Sequence, residues 1–129
     1  MRSSRSWSKP FVRPRDPGIG HFYYLIGTVH LLQSHTDEAI IWLEKARSAV
    51  PTGPFHRSRL ASAYALRGET ERAAAELAEA RRLGGEGSYS SIARIRTVPT
   101  VRALGAATVR ALFETTYLAG LRKAGVPEQ

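Results

Sequence analysis

The residue types that could carry chemistry are few in this 129-residue chain. It has four histidines (His21, His30, His35 and His56), two aspartates (Asp16 and Asp37) and no cysteine. Without cysteine there are no disulfides, thiolate metal sites, CxxC redox centres or thiol nucleophiles. The histidines form no HExxH motif and no pair lies at i, i+4, so they do not align as zinc ligands on one helix face. His30 falls on an apolar helix face and reads as a packing residue. The run Gly84-Gly85-Glu86-Gly87-Ser88 lacks the lysine and spacing of a phosphate-binding loop and reads as an inter-helix loop, and there is no GxSxG elbow. Glu69, Glu71, Glu76 and Glu79 alternate with Arg72, Arg81 and Arg82, which predicts a salt-bridged solvent face rather than a carboxylate pair for acid–base work. No constellation meets the needs of a catalytic site, so a non-enzyme without metal or cofactor is expected.

Composition is that of an ordinary globular chain, 43% hydrophobic and 23% charged. This excludes collagen-like, mucin-like and wholly disordered classes and predicts one domain. No run approaches the roughly 18 apolar residues of a membrane span. With no apolar leader segment and no cysteine, a cytoplasmic setting is expected. The net charge of +8 sits on the flanks: residues 1–17 and 88–129 each carry +4, residues 18–53 carry −1 and residues 54–87 carry +1. No KH, RRM or zinc-finger spacing accompanies it. A solvated basic tail and an arginine-rich last helix are therefore favoured over a nucleic-acid binder. Pro10, Pro14 and Pro17 break helix and sheet, so residues 1–17 read as an extended or disordered basic tail.

The elements between the flanks follow from helical periodicity. Phe22, Leu25, Ile26, Val29 and Leu32 predict a helix over 20–32 with that stripe inward. Ser34 with Asp37 resembles a capping box, so a second helix begins near Thr36 and carries Ala39, Ile40, Leu43, Ala46 and Val50; Pro51 and Gly53 end it. A third helix runs from Pro54 through Leu60, Ala61, Tyr64 and Ala65 to Arg67, stopped by Gly68. A fourth begins near Thr70 with Ala73, Ala74, Leu77, Ala80 and Leu83, and ends at Gly84 and Gly85. A shift of 34 residues aligns Ile26 with Leu60, Gly27 with Ala61, His30 with Tyr64, Ala39 with Ala73, Leu43 with Leu77 and Ala46 with Ala80. The small residues let paired helices approach, and Tyr23, Tyr24, Trp42 and Tyr64 read as packing residues. A short helix over 88–98 and a long one over 101–124 follow. The long helix has Leu104, Ala107, Ala111, Leu112, Thr115, Leu118 and Leu121 as its apolar stripe, with Arg110, Arg122 and Lys123 facing solvent.

This period and the placement of small residues resemble the tetratricopeptide repeat (TPR). Tyr23, Ile26, Gly27, His30, Ala39, Leu43, Ala46 and Pro51 match in a first unit (20–53), and Leu60, Ala61, Tyr64, Ala73, Leu77 and Ala80 in a second (54–87). Arg57 and Gly85 depart from the pattern, where a large aromatic and a proline are usual. From about residue 13 onward the chain is also similar to the C-terminal TPR region of rhizobial adenylate/guanylate cyclase-like proteins. The shared strings include Pro14-Arg15-Asp16-Pro17, Trp42-Leu43-Glu44-Lys45-Ala46 and Gly120-Leu121-Arg122-Lys123-Ala124-Gly125. The cyclase domain itself has no counterpart here.

The resemblance implies an all-α fold, a short TPR-like solenoid of helix hairpins with a long C-terminal capping helix. It also implies a non-catalytic scaffold that holds a protein or peptide in a concave groove. The first helix of each pair would line that groove, exposing Tyr24, Thr28, Leu31, Arg59, Ser62 and Leu66. The alternatives are a dimerising or regulatory remnant of a larger cyclase and, less favoured, a basic nucleic-acid-binding protein. Two units leave an apolar end uncovered, which favours self-association as a homodimer. No membrane contact is expected.

Overall fold

The computed structural model of the protein describes residues 17–85, 87, 89–96 and 107–129. The described residues are helical, with no strand among them. The helices are α1 (Pro17–Leu32), α2 (Thr36–Ala49), α3 (Pro54–Leu66), α4 (Thr70–Gly84), α5 (Ile92–Ile95), α6 (Ala107–Thr115) and α7 (Tyr117–Lys123). The expected basic tail, Pro17 excepted, lies outside the described residues, as do Leu104 and the first part of the expected long helix.

The first four helices form two antiparallel hairpins whose turns share one backbone geometry. Ser34 and Gly68, 34 positions apart, both take a left-handed conformation, at φ 64° and 90°. The residues after them, His35 (φ −89°, ψ 73°) and Glu69 (φ −91°, ψ 74°), are nearly superimposable. The His35 N–H donates to the His30 carbonyl at 2.8 Å and the Glu69 N–H to the Tyr64 carbonyl at 2.9 Å. Ser34 and Gly68 donate to the Leu31 and Ala65 carbonyls, each at 3.0 Å. This is the Schellman pattern, which satisfies the last carbonyls of a helix and needs one residue at positive φ. Ser34 therefore closes α1 and does not cap α2 as expected. His35 occupies the N-cap of α2 and makes no side-chain capping bond.

Within each hairpin the small residues set the spacing. A Cβ on Gly27 would lie 2.6 Å from Leu43 Cγ, so the hairpin closes at this depth only with glycine there. Ala39, Ile40, Leu43 and Ala46 of α2 and Ala73, Leu77 and Ala80 of α4 are buried, as their spacing predicts, whereas Val50 and Leu83 are half-buried and Ala74 is exposed. The face buried by α1 differs from the expected one. Gly20, Tyr24, Gly27 and Leu31 point inward, whereas Phe22, Leu25 and Val29 are 50%, 45% and 53% exposed. Ile26 and Leu32 are half-buried between the two sets. This helix is apolar on both sides, so the hydrophobic stripe alone does not identify its inner face. The glycines do, because only the face meeting α2 demands them.

The second hairpin packs on the first through α3 and α2. Glu76 was expected on a solvent face; it is buried and accepts from the guanidinium groups of both Arg47 of α2 and Arg57 of α3, bridging the hairpins. Arg72–Glu69 and Arg82–Glu79 do form the expected exposed pairs.

The C-terminal third folds back onto α3. Where one long helix was expected, the chain breaks at Thr116 (φ −118°, ψ −76°). Thr116 Oγ1 donates to the Leu112 carbonyl at 2.6 Å and Thr115 Oγ1 to the Ala111 carbonyl at 3.1 Å. Such local bonds compete with regular helix geometry and bend it. The break rephases the apolar face: Phe113, Tyr117, Leu118 and Leu121 are buried, while Ala111, Leu112 and Thr115 are exposed. The short helix is one turn, capped by Ser91, whose hydroxyl accepts from the Arg94 N–H at 3.2 Å. The final segment closes over it, with Ile92 and Ala93 N–H groups donating to the Pro127 and Glu128 carbonyls at 2.7 and 2.9 Å. Arg96 clasps Glu114 through two bonds of 2.9 Å.

Ser34 is the only non-glycine residue at positive φ among the described residues. Ser34→Gly should therefore stabilise the protein by about 0.5–1 kcal/mol, the left-handed penalty of an L-residue less the extra chain entropy of glycine. Gly68→Ser should destabilise it by a similar amount. Urea midpoints at constant m-value measure both.

Candidate functional site

The residues expected to line an open groove do converge, but beneath the chain's own C-terminal helices. Tyr24, Arg59 and Ser62 lie on the sides of α1 and α3 that face α6 and α7, and all three are buried. Ser62 Oγ donates to the Tyr117 carbonyl at 2.8 Å, and Ser58 Oγ lies 2.8 Å from the Tyr117 hydroxyl. A Cβ on Gly120 would fall 2.6 Å from the Ser62 carbonyl oxygen, so α7 rests directly on the α3 backbone. Leu31 is fully buried in the core, and Leu66 is half-buried against it. Thr28 is half-buried, and its Oγ1 is enclosed without a hydrogen-bond partner. These six residues thus form no open binding surface. Ser58, Ser62 and Gly120 supply the close approach that lets α7 fill the groove.

Arg59 is the charged residue at the centre of this arrangement. Its guanidinium lies 4.1 Å from the Tyr117 ring centroid, 5.0 Å from that of Phe113 and 5.3 Å from that of Tyr24. It donates to the Tyr24 hydroxyl at 2.8 Å. Among the described residues no carboxylate pairs with it. The aromatic faces stand in for a counter-ion, since a cation over a desolvated ring gains about 2 kcal/mol per favourable contact. Burial pushes the Tyr117 phenol above its ordinary pKa, with the Arg59 charge opposing, and burial does the same to Tyr89. Both phenols therefore stay neutral hydrogen-bonding groups.

His56 adjoins this cage. Its ring meets Tyr24 edge-on, with centroids 5.0 Å apart. Burial pushes its pKa below the ordinary 6.5; contact with the Gly53 backbone opposes this, and the charges of His21, Arg59 and Arg57 add to it. A neutral histidine beside a buried arginine is a packing arrangement. Among the described residues no group of three or more His, Asp or Glu side chains is placed to hold a metal ion.

The outer surface carries what the groove does not. Phe22, Leu25 and Val29 form an exposed apolar stripe along α1. Around the edge of that helix, the Tyr23 and Trp42 rings meet at a tilt of 41° with centroids 5.8 Å apart, and the Lys45 ammonium lies 5.0 Å from the Trp42 ring. Tyr23, Ile41, Lys45 and Ser48 border a shallow recess of about 630 Å³. A second recess of about 440 Å³ lies between the hairpins at Glu44, Arg47, Tyr64, Arg72 and Glu76. Tyr64 donates to Glu44 inside it. The α1 stripe was visible in the sequence as an apolar run but was assigned to the core. No family model, curated protein or solved structure matches the chain.

Two outcomes follow from the packed groove. Gly120→Ala should destabilise the fold by about 1–3 kcal/mol, because the methyl meets the Ser62 hydroxyl and also the Ser62 backbone carbonyl, which cannot turn aside. A guanidinium titration compared with the exposed control Ala78→Gly reads this. His56 binds its proton less readily folded than unfolded, so its contribution to stability is complete above the ordinary imidazole pKa. That contribution is lost as pH falls through 6.5 towards the depressed folded value. Thermal melts should drop across this window, and His56→Gln should flatten the decline.

Proposed function

We propose that this chain is a non-catalytic helical docking module of the tetratricopeptide type, working in the cytoplasm. It binds another helical protein through the outer face of α1. The observation that carries this reading is the contrast between equivalent positions of the two hairpins. Phe22, Leu25 and Val29 stand 34 residues before His56, Arg59 and Ala63. The latter three are 7%, 3% and 0% exposed, and Tyr24 of the preceding hairpin touches both His56 and Arg59. The former three are open, and they are the more apolar set. A helix apolar on all sides is ordinarily buried, and a contiguous exposed apolar stripe marks a contact surface. The resemblance to the TPR region of cyclase-like proteins supports a scaffold role and supplies no reactive group. The packing of α7 over Arg59 and Ser62 supports a partner on α1 rather than on that covered side.

Leu25→Glu tests the reading. Tagged wild-type chain should retain specific proteins from source-cell extract that Leu25→Glu loses and that the α4 control Ala78→Glu keeps. Identical recovery by all three chains would overturn it.

A further inference from the structure

We propose that the partner on the α1 stripe is a second copy of this chain, the two α1 helices lying antiparallel about a two-fold axis near Leu25. The inference rests on the docking reading above and names its occupant.

Three observations select a second copy. The first is charge. The chain carries +8, yet α1 has no Asp, Glu, Lys or Arg anywhere in its sixteen residues. Two cationic molecules meeting through α1 therefore bring no like charges into the seam. A partner selected by acidic residues would instead find no basic group on this helix to pair with.

The second is shape. Phe22, Leu25, Val29 and Leu32 follow the alternating three-and-four spacing of a two-helix seam, and the first three are exposed. Laid antiparallel on itself about Leu25, the helix sets Phe22 at the level of Thr28, His21 at that of Val29 and Leu32 at that of Gly18. Large side chains then face smaller ones, as a two-fold contact between identical surfaces requires.

The third is closure. Stacking head to tail would need an open apolar face on the far hairpin. There the concave side is filled by α7, and the outer side of α4 exposes Glu71, Arg72, Arg81 and Arg82 among its alanines. One end is open and the other is closed, so assembly stops at two copies. A sixteen-residue helix spans about 24 Å, and one such seam buries less than the ~800 Å² per partner of a standard interface. The pairing is accordingly weak, reversible and dependent on concentration.

The full chain contains no cysteine, which gives a clean background for crosslinking. In sedimentation equilibrium from ~10 μM to ~1 mM, the range expected for an interface below standard size, wild type should shift reversibly from monomer to dimer. Leu25→Glu, with circular dichroism unchanged, should weaken the dimer at least ~10-fold by setting a charge in an apolar seam. Under oxidised glutathione, Leu25→Cys should give a disulfide-linked dimer well faster than Ala78→Cys on the exposed face of α4. The proposal is overturned by a wild-type monomer throughout that range, by equal crosslinking of the two cysteine variants, or by assembly beyond two copies. If wild type stays monomeric while Leu25→Glu still loses a protein retained from extract, self-pairing falls and the docking reading stands. If neither effect is seen, both fall.

Discussion

The enclosure of α3 is the constraint on which the rest of the structure depends. Every side of this thirteen-residue helix meets another element: α4 as its hairpin partner, α2 and Tyr24 from the preceding hairpin, and α7 across its remaining side. A helix so enclosed would ordinarily be apolar throughout, yet it buries His56, Ser58, Arg59 and Ser62. The two serines and the Arg59 guanidinium find bonds inside, while the His56 ring nitrogens have none. Tyr117 makes several of them at once: its carbonyl takes the Ser62 hydroxyl, its own hydroxyl meets Ser58, and its ring faces Arg59. The fold of the C-terminal third and the closure of the groove are thus one event.

That event decides which apolar surface stays open. An array of two hairpins has a concave side and an outer side. Here the last helices pack on the side of the hairpins where Arg59 and Ser62 lie, and cover it. Among the described residues, the exposed large apolar side chains lie mainly along α1, at Phe22, Leu25 and Val29, with Ile41 and Leu112 as separate ones. The same positions one hairpin later hold a histidine, an arginine and an alanine, all buried. Position 59 shows why an exchange of residue type succeeds. A leucine there would pack on Tyr24 and Tyr117, and an arginine does so through its planar face and reaches the Tyr24 hydroxyl as well.

Much of the helical layout was legible in the sequence, because its punctuation is physical. Gly68, Pro54 and Gly85 end or begin helices through φ restrictions that hold in any context, and the boundaries of α2, α3 and α4 follow. Ser34 was misread because serine before an acidic residue is a frequent cap signal. What decided its role was the need for a left-handed residue where the chain reverses, which glycine announces and serine does not. The inner face of α1 was misread because apolar residues surround it; the discriminating signal, Gly20 and Gly27, concerns close approach and not hydrophobicity. Tyr24, Arg59 and Ser62, expected to be exposed along a groove, are buried. Their burial was illegible because it depends on where residues more than 50 positions away in sequence come to rest, and on the break at Thr116 that turns Phe113 and Tyr117 inward.

The break carries a wider consequence for polarity in the molecule. An unbroken helix would have presented the expected stripe to the hairpins, in which Leu112 and Ala111 have no group to answer the hydroxyls of α3. Rephasing brings a phenol and a backbone carbonyl to Ser58 and Ser62, and sends Leu112 outward. The glycine at position 120 is matched to the same register, since α7 can approach the Ser62 carbonyl only where no Cβ intervenes. Serines on α3, tyrosine and glycine on α7 and the threonine pair between α6 and α7 therefore form a single specification. Hydrophobic substitutes at Ser58 or Ser62 would fit a different helix register, not this one.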